Sequence, residues 1–149
     1  MAARALAFGL ALFAAGVAGT AGAAEFRSIA DNAVLMYDAP SVRATRLFVA
    51  AKFTPVEVMV SLDQWTKVRD QAGDLVWVEK KALSELRTVV VTVPVAELRA
   101  SAADQAPVVF KAQQGVALEL SELAGAGWVK LRHRDGQSGY LRVNQVWGL

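Results

Sequence analysis

Two short aromatic and basic segments contain the residues of this chain that are best suited to hold a ligand. One reads WTKVR at residues 65–69, and the other reads WVKLR at residues 128–132. An indole supplies a broad apolar face and a single N–H donor, and an arginine fork can hold a carboxylate through two hydrogen bonds. Side chains of these types can bind and orient a ligand, and they do not by themselves break bonds.

The position of the tryptophans within these segments is unusual. Successive side chains of an extended strand point to opposite faces, so Thr66 and Val68 share one face while Trp65 shares the other with charged residues. Trp77 repeats the pattern, because its two flanking valines occupy the opposite face. The sequence therefore predicts that the largest apolar side chains lie on the polar faces of their strands, outside the core.

The sequence contains few residues that could catalyse a reaction. His133 is the only histidine, the chain has no cysteine, and no serine stands in a recognisable nucleophile elbow. A general base needs an orienting partner and a nucleophile within reach. Asp70, Asp74 and Asp135 lack the dense oxygen-ligand spacing of a calcium loop and are predicted to form turns. We therefore expect no enzyme activity, no metal site and no cofactor.

The two aromatic and basic segments belong to an internal repeat. Residues 65–79 align with residues 128–142 at a displacement of 63 positions, and upstream of them the displacement is 62. One extra residue within 121–127 of the second copy reconciles the two displacements, and such insertions belong in loops. Recurrence of aromatic, basic and turn residues at fixed distances indicates a duplication. The aligned pairs are Trp65 with Trp128, Lys67 with Lys130, Arg69 with Arg132, Gly73 with Gly136, and Trp77 with Tyr140.

Each copy is predicted to consist of short strands. The alternating residues 56–58 form one strand, and turns are expected at 71–74 and 135–138. Residues 42–51 and 112–126 are rich in helix-forming residues, but their alignment with clear strand patterns favours strands there. Domains of about 60 residues are marginal alone. We therefore expect the two units to pack against each other.

Residues 1–23 are predicted to be a helical signal peptide that directs export to the periplasm or out of the cell. Arg4 precedes an uncharged apolar stretch, and Ala21-Gly22-Ala23 has the small side chains of a cleavage site. The alternative is an uncleaved membrane anchor, since about 20 uncharged residues can span a bilayer. Cleavage near Ala23 leaves no predicted membrane span. It also leaves 15 Lys and Arg against 14 Asp and Glu, a balance that argues against a nucleic-acid partner.

The repeat unit resembles the bacterial SH3-like (SH3b) domain, here in tandem. In the first copy the resemblance rests on Ala39-Pro40-Ser41, Val56-Glu57-Val58, the segment 65–69 and Trp77-Val78. In the second copy it rests on Leu98-Arg99, Gln114-Gly115, Gly127 with the segment 128–132, and Gly139-Tyr140-Leu141. Phe53 replaces the expected turn glycine, Val76 replaces the closing glycine, and Ala102-Ala103 replaces a Pro-Ser pair. These departures concern the shapes of the loops.

The resemblance implies an all-β protein of two small SH3-like barrels, residues 24–87 and 88–149, packed against each other. It also implies a non-catalytic binding module for a peptide of an envelope protein or for peptidoglycan. In the wider SH3 architecture the tryptophan that opens the third strand lies in an aromatic-lined peptide groove. The predicted ligand-binding residues are Tyr37, Trp65, Arg69, Trp77, Trp128, Arg132 and Tyr140.

Several of these residues have a second interpretation. The aromatic side chains could instead form the interface between the barrels or between copies in a structural protein of the cell envelope. The arginines could simply belong to a solvated charged strand face. Trp147, near the end of the chain, is predicted to dock the terminus, because an untied terminus frays. The sequence does not indicate an oligomeric state.

Overall fold

The computed structural model of the protein describes residues 22–149, so the predicted signal peptide lies outside the described residues except for its last two positions. Among the described residues, none belongs to a helix long and apolar enough to cross a membrane. Within residues 22–149, fourteen β-strands form two antiparallel sheets of seven strands each. Two single-turn 3-10 helices complete the regular structure, at Lys80–Ala82 and Val143–Gln145.

The first sheet contains the strands from Phe26 to Ser84, in the spatial order β3-β2-β6-β5-β4-β1-β7. Their bounds are β1 Phe26–Ile29, β2 Val34–Tyr37, β3 Arg46–Ala50, β4 Pro55–Ser61, β5 Trp65–Arg69, β6 Leu75–Glu79 and β7 Leu83–Ser84. Helix-forming residues in 42–51 do not produce a helix, because β3 pairs with β2 over four positions. The strand prediction for this region is confirmed.

The second sheet repeats the same order as β10-β9-β13-β12-β11-β8-β14. Its strands are β8 Thr88–Val91, β9 Val95–Arg99, β10 Val108–Gln113, β11 Ala117–Gly125, β12 Trp128–Arg132, β13 Ser138–Arg142 and β14 Val146–Trp147. The extra residue of this copy is absorbed at the end of β11, where the pairing with β12 shifts between Leu123 and Gly125. Identical topology in both halves agrees with the duplication read from the sequence.

Each sheet bends around its own core, because the buried residues of one face come from almost every strand. The first core contains Ile29, Val34, Met36, Ala50, Val56, Val68, Val76, Val78 and Ala82. The second contains Val89, Val91, Ala96, Leu98, Ala112, Leu118, Val129, Leu131 and Leu141. Bulges in β4 and β11 increase the local bend. The all-β fold of two small barrels is confirmed.

The barrels pack against each other through a short, close interface. Thr88 Oγ1 donates a hydrogen bond of 2.7 Å to the carbonyl of Phe53, and the rings of Phe26 and Trp147 meet edge to face at 5.2 Å. Gly148 is required there, because a Cβ atom would lie 2.8 Å from the Thr88 carbonyl oxygen and 3.1 Å from Pro55. The predicted docking role of Trp147 is confirmed.

The turn at Phe53 keeps the shape that a glycine would give it. Phe53 has φ of 69°, close to the 85° of its counterpart Gly115. Left-handed backbone costs a non-glycine residue about 1–2 kcal/mol. The hydrogen bond from Thr88, together with one from the Phe53 N–H to the Ile29 carbonyl at 2.9 Å, holds the residue in place. The replacement of the turn glycine therefore leaves this loop intact.

Candidate functional site

The polar face of β5 and β6 carries the aromatic residues of the first barrel. Thr66 and Val68 are buried in β5, whereas Trp65 and Lys67 are half-buried on the opposite face. In the β5–β6 register Lys67 lies opposite Trp77, and its Nζ atom is 5.9 Å from the centroid of that ring. The predicted placement of both tryptophans outside the core register is confirmed. It follows from strand alternation alone.

Tyr37 joins these tryptophans from the neighbouring strand. Its ring meets Trp65 edge to face, with centroids 5.4 Å apart and planes at 87°. Tyr37 also pairs with Trp77 in the β2–β6 register. Met36, the preceding residue, belongs to the core, whereas the Tyr37 ring packs on Trp65. Tyr37 is itself buried, with 7% of its surface exposed, so it supports Trp65 from beneath. We call Tyr37, Trp65 and Trp77 the first aromatic face.

An open cleft of about 380 Å³ adjoins the first aromatic face at Tyr37. Its other walls come from β2, the end of β6 and the following 3-10 turn. Glu79 and Lys81 form an ion pair of 3.2 Å at this wall, and Asp31 adds a second acidic group. We call this space the first cleft; it is lined by Asp31, Ala33, Val34, Leu35, Tyr37, Glu79, Lys81 and Ala82.

The second barrel has a cleft of about 230 Å³ at the same place. The repeat alignment, with its displacements of 62 and 63 residues, pairs five lining residues of the first cleft with lining residues of the second. These five are Ala33, Leu35, Tyr37, Glu79 and Ala82. The recurrence of the cleft at aligned positions shows that the fold itself creates it. We call this space the second cleft; it is lined by Val95, Glu97, Arg99, Asp104, Trp128, Leu141, Arg142 and Gln145.

Trp128 is buried in the second barrel, with only 6% of its surface exposed. The Arg142 guanidinium lies 4.2 Å from its ring centroid, and the two residues are cross-strand neighbours. Asp104 then covers Arg142, with Oδ2 2.6 Å from Nη2 and Oδ1 3.3 Å from Nε. The expectation that the Trp128 indole stands open on the surface is therefore wrong. Strand alternation sets its direction, but a residue 14 positions away in sequence covers it.

The charges around Arg142 hold Asp104 in its ionised form. A hydrogen bond from the Arg142 side chain, reinforced by the charges of Arg142 and Arg99, lowers the pKa of the Asp104 carboxyl below its usual 3.8. Arg99 stands where the first barrel has Tyr37, so the second cleft lacks the tyrosine edge and has a second cation in its place. The two clefts share a shape and differ in chemistry.

The family model of the bacterial SH3 domain matches the sequence of the chain twice, at residues 30–85 and 92–148. The chain belongs to this family. The two matches correspond to the two seven-stranded sheets, and each bacterial SH3 domain contributes one of the two clefts.

Solved structures similar to this pair of bacterial SH3 domains include NlpC2 and NlpC1 from Trichomonas vaginalis and an NlpC/P60 family protein from Bacillus cereus. Their TM-scores are 0.38, 0.38 and 0.34, at 14%, 15% and 15% identity. Each similarity covers 83% of this chain and 48%, 45% and 56% of the other chains, respectively. The chain therefore spans about half the length of these proteins. A comparison with curated proteins found no match.

The predicted arginines lie apart from both clefts. Arg69 pairs with Glu57 across β4 and β5, with Nε 2.8 Å from Oε2, and Arg132 pairs with Glu119 at 2.8 Å in the second SH3 domain. Four residues of strand, about 13 Å, separate Arg69 from Trp65. These pairs fit the interpretation of a solvated charged strand face. The structure does not bring either arginine together with its aromatic partner.

Tyr140 occupies the position of Trp77 in the second SH3 domain. It is half-buried, lies opposite Arg99 in the β13–β9 register, and has Lys130 Nζ 5.8 Å from its ring centroid. The aromatic residue and lysine of the first aromatic face therefore recur here. Its tryptophan neighbour does not, because Trp128 is covered.

Sequence reasoning missed Glu79, Arg99, Asp104 and Arg142. The repeat alignment contains part of the missing signal, because it pairs Glu79 with Arg142 and Tyr37 with Arg99. A charge reversal at one aligned position indicates that two copies have diverged in chemistry. Asp104 could not be found in this way, since its contact depends on how the loop between β9 and β10 folds back.

Proposed function

We propose that this protein is an exported, non-catalytic binding module whose first SH3 domain recognises an extended peptide, from a partner protein or from peptidoglycan. One observation carries this proposal: Tyr37 and Trp65 pack edge to face on the polar side of the barrel, beside an open cleft. Aromatic-lined grooves of this kind bind extended peptides in other SH3-type domains.

The residues of the site define what the peptide would present. Trp65 and Trp77 are partly exposed and offer flat faces for stacking, and Lys67 beside Trp77 offers a cation. Glu79 and Asp31 make the cleft wall acidic, with Lys81 pairing one of the two charges. A peptide with an apolar residue beside a basic group would fit this combination. Hydrophobic contact would supply most of the affinity, and the charges would orient the peptide.

No bond-breaking step is part of this proposal. The chain's one histidine, His133, has Nδ1 3.1 Å from Asp135 Oδ2 on an exposed turn. Among residues 22–149, no group of three His, Asp or Glu side chains converges as a metal site would require. Zymography on a cell-wall substrate checks this part, and a clearing band produced by the purified protein would contradict it.

Titration and pull-down with the mature protein test the proposal. We expect purified muropeptides to shift the tryptophan emission, and intact cell-wall sacculi or an envelope extract to retain the protein. Trp65→Ala should abolish both signals, because it removes the exposed half of the Tyr37–Trp65 pair. The matched control is Arg69→Ala, a charged residue of the same strand that lies away from the cleft. Failure of the wild type in all three assays would overturn the proposal.

Export is a separate part of the proposal, supported by the composition of residues 1–23. Expression of the full chain in a Gram-negative host, followed by cell fractionation, should yield a periplasmic product. Mass spectrometry of its amino terminus should place cleavage near Ala23. A full-length product in the cytoplasmic fraction would contradict export.

A second candidate function, assembly within the cell envelope, is favoured by the exposed edge of the first sheet. The edge strand β3 has 47% of Leu47 and 57% of Val49 exposed, and its outer side has no partner strand within the described chain. Such edges pair with other strands. Sedimentation should then show a dimer that Val49→Lys converts to a monomer. A monomer at all concentrations would remove this candidate.

A further inference from the structure

The second cleft already contains a bound carboxylate, that of Asp104. Both carboxylate oxygens face the Arg142 fork, at 2.6 Å from Nη2 and 3.3 Å from Nε, and the guanidinium carbon lies 4.2 Å from the ring centroid of Trp128. A planar fork that offers two parallel donors to one carboxylate is the arrangement by which arginine recognises carboxylate ligands. The indole beneath it supplies a cation–π contact and fixes the orientation of the fork.

Asp104 lies on an exposed loop, the connection of residues 100–107 between β9 and β10. Its side chain is 67% exposed, although its partner Arg142 is only 39% exposed. Solvent-exposed ion pairs are weak, so the contact can open without disturbing the barrel. A carboxylate from outside that also fills the cleft would gain contacts that Asp104 does not make.

A second arginine stands at the inner side of the cleft. Arg99 Nη1 donates a hydrogen bond of 2.8 Å to the carbonyl of Ala106. This bond anchors the far end of the same loop. Arg99 Nη2 is 3.2 Å from Glu97, and Lys111 pairs with that same carboxylate at 3.1 Å. Glu97 is thus neutralised by two cations. With Asp104 displaced, the cleft would present Arg99 and Arg142 with no uncompensated acid between them.

From this geometry we infer that the second cleft is a binding site for a carboxylate group of a peptide, and that Asp104 occupies the site as an internal competitor. The ligand would replace Asp104 on the Arg142 fork, with Trp128 beneath the guanidinium. The first barrel has no such competitor, because Val42 and Glu79 stand at the positions of Asp104 and Arg142. The inference concerns the second SH3 domain and does not depend on peptide binding by the first.

The test uses the full mature protein and two small carboxylates. N-acetyl-glutamate α-amide presents a side-chain carboxylate and N-acetyl-alanine presents a terminal one, while N-acetyl-glutamine amide is the neutral control. Binding is followed by NMR through the indole N–H signal of Trp128, so ligand contacts of Trp65 do not enter the measurement. The two acids distinguish the two sources of carboxylate, and binding of either supports the inference.

Asp104→Asn should lower the Kd for at least one acid about two- to sixfold, because a tethered competitor held by an exposed ion pair closes the site only part of the time. The matched control is Asp135→Asn, an exposed acid of the same domain outside the cleft, which should leave the Kd unchanged. Arg142→Lys in the Asp104→Asn background should reverse the gain, because lysine keeps the charge and loses the fork.

Equal Kd values for the wild type and Asp104→Asn would overturn the inference, as would binding that survives Arg142→Lys or equally strong binding of the neutral amide. Backbone NMR signals of the core residues check that each variant is folded. If Arg142→Lys does not fold, Arg99→Gln replaces it, and a gain in affinity that is insensitive to that change would count against the inference.

Discussion

The first and second clefts occupy the same place in two copies of one fold, and three of the aligned positions at which they differ decide how far the tryptophan is covered. Tyr37, Val42 and Glu79 of the first barrel correspond to Arg99, Asp104 and Arg142 of the second. In the first barrel a tyrosine edge supports a partly exposed tryptophan. In the second, an arginine and an aspartate cover the tryptophan almost completely. A duplicated scaffold can thus keep its cleft while the chemistry of the cleft changes.

Tryptophan has two different roles at the aligned positions of the two barrels. Trp65 and Trp128 are aligned, open equivalent strands and point to the same side of their sheets. Their exposure differs because exposure depends on the neighbours across the sheet and in the loop. In the proposed function Trp65 therefore belongs to the ligand surface, whereas Trp128 lies beneath Arg142.

The largest expected effect distinguishes the two tryptophans by their contributions to stability. Trp128→Ala should lower the free energy of unfolding by about 3–5 kcal/mol, the usual cost of truncating a buried aromatic residue. Trp65→Ala should cost only about 1 kcal/mol, since its indole is half-buried. Urea unfolding followed by circular dichroism measures both. Equal losses would mean that the two residues have the same structural role.

Gly139→Ala should have the next largest effect, a loss of about 1–3 kcal/mol from overpacking. A Cβ atom at this position would lie 2.8 Å from the Cβ of Leu98 and 3.2 Å from the Arg99 carbonyl oxygen. The first barrel has Val76 here, so the two cores have adapted separately. Urea unfolding is again the measurement, with Ser138→Ala on the same strand as control. A neutral Gly139→Ala would show that Leu98 can move aside.

Introducing the Asp–Arg pair of the second cleft into the first cleft should change stability less, and it should clearly reduce the solvent exposure of Trp65. In Val42→Asp/Glu79→Arg, the new arginine lies opposite Trp65 in the β5–β6 register, as Arg142 lies opposite Trp128. The exposed ion pair should change stability by about 1 kcal/mol or less. Acrylamide quenching of Trp65 should fall, and muropeptide binding should weaken. Unchanged quenching would show that the loop of the first barrel does not reach the cleft.

The smallest expected effects concern acid titration of two aspartates in the second barrel. Hydrogen bonds from the Gln137 backbone and side chain lower the pKa of Asp135 from 3.8 to about 2, and Arg142 lowers that of Asp104. Because both folded values are depressed, their contribution to stability is present above about pH 3.8. It is lost as the pH falls through the folded pKa of each group.

Carboxyl ¹³C NMR titration measures these two midpoints directly. Gln137→Ala should raise the midpoint of Asp135 toward its usual value and leave Asp104 unchanged. Arg142→Gln should do the reverse. If the titration midpoint of Asp104 were the same in Arg142→Gln as in the wild type, the ion pair over Trp128 would be contradicted. The difference between the two clefts depends on that ion pair.

Much of the fold follows from local pattern. The alternation around Trp65 and Trp77, the turn at Gly73 and the aligned second copy are sufficient to predict strands, duplication and the outward direction of the aromatic residues. These features follow from strand alternation and from backbone preferences within a few residues. They also correctly outweigh the helix propensity of residues 112–126, where pairing with neighbouring strands stabilises β10 and β11.

The candidate site is predicted less completely. Tyr37, Trp65 and Trp77 are correctly placed together, because they come from strands that neighbour each other in any barrel of this kind. Arg69 and Arg132 are predicted to bind the ligand because an arginine fork beside an aromatic residue can hold a carboxylate. The structure instead pairs each of them with a glutamate on the adjacent strand. Closeness along a strand does not mean closeness in a cleft, since four residues extend over about 13 Å.

By itself the sequence determined the strands, their faces and the two-fold repetition, because each of these depends on neighbours along the chain. Only the tertiary structure decided which tryptophan stays accessible. That outcome depends on Asp104, in a loop 38 residues before Arg142, reaching the fork that covers Trp128. Contacts of this range depend on how the loop folds against the sheet, and local periodicity contains no information about that path.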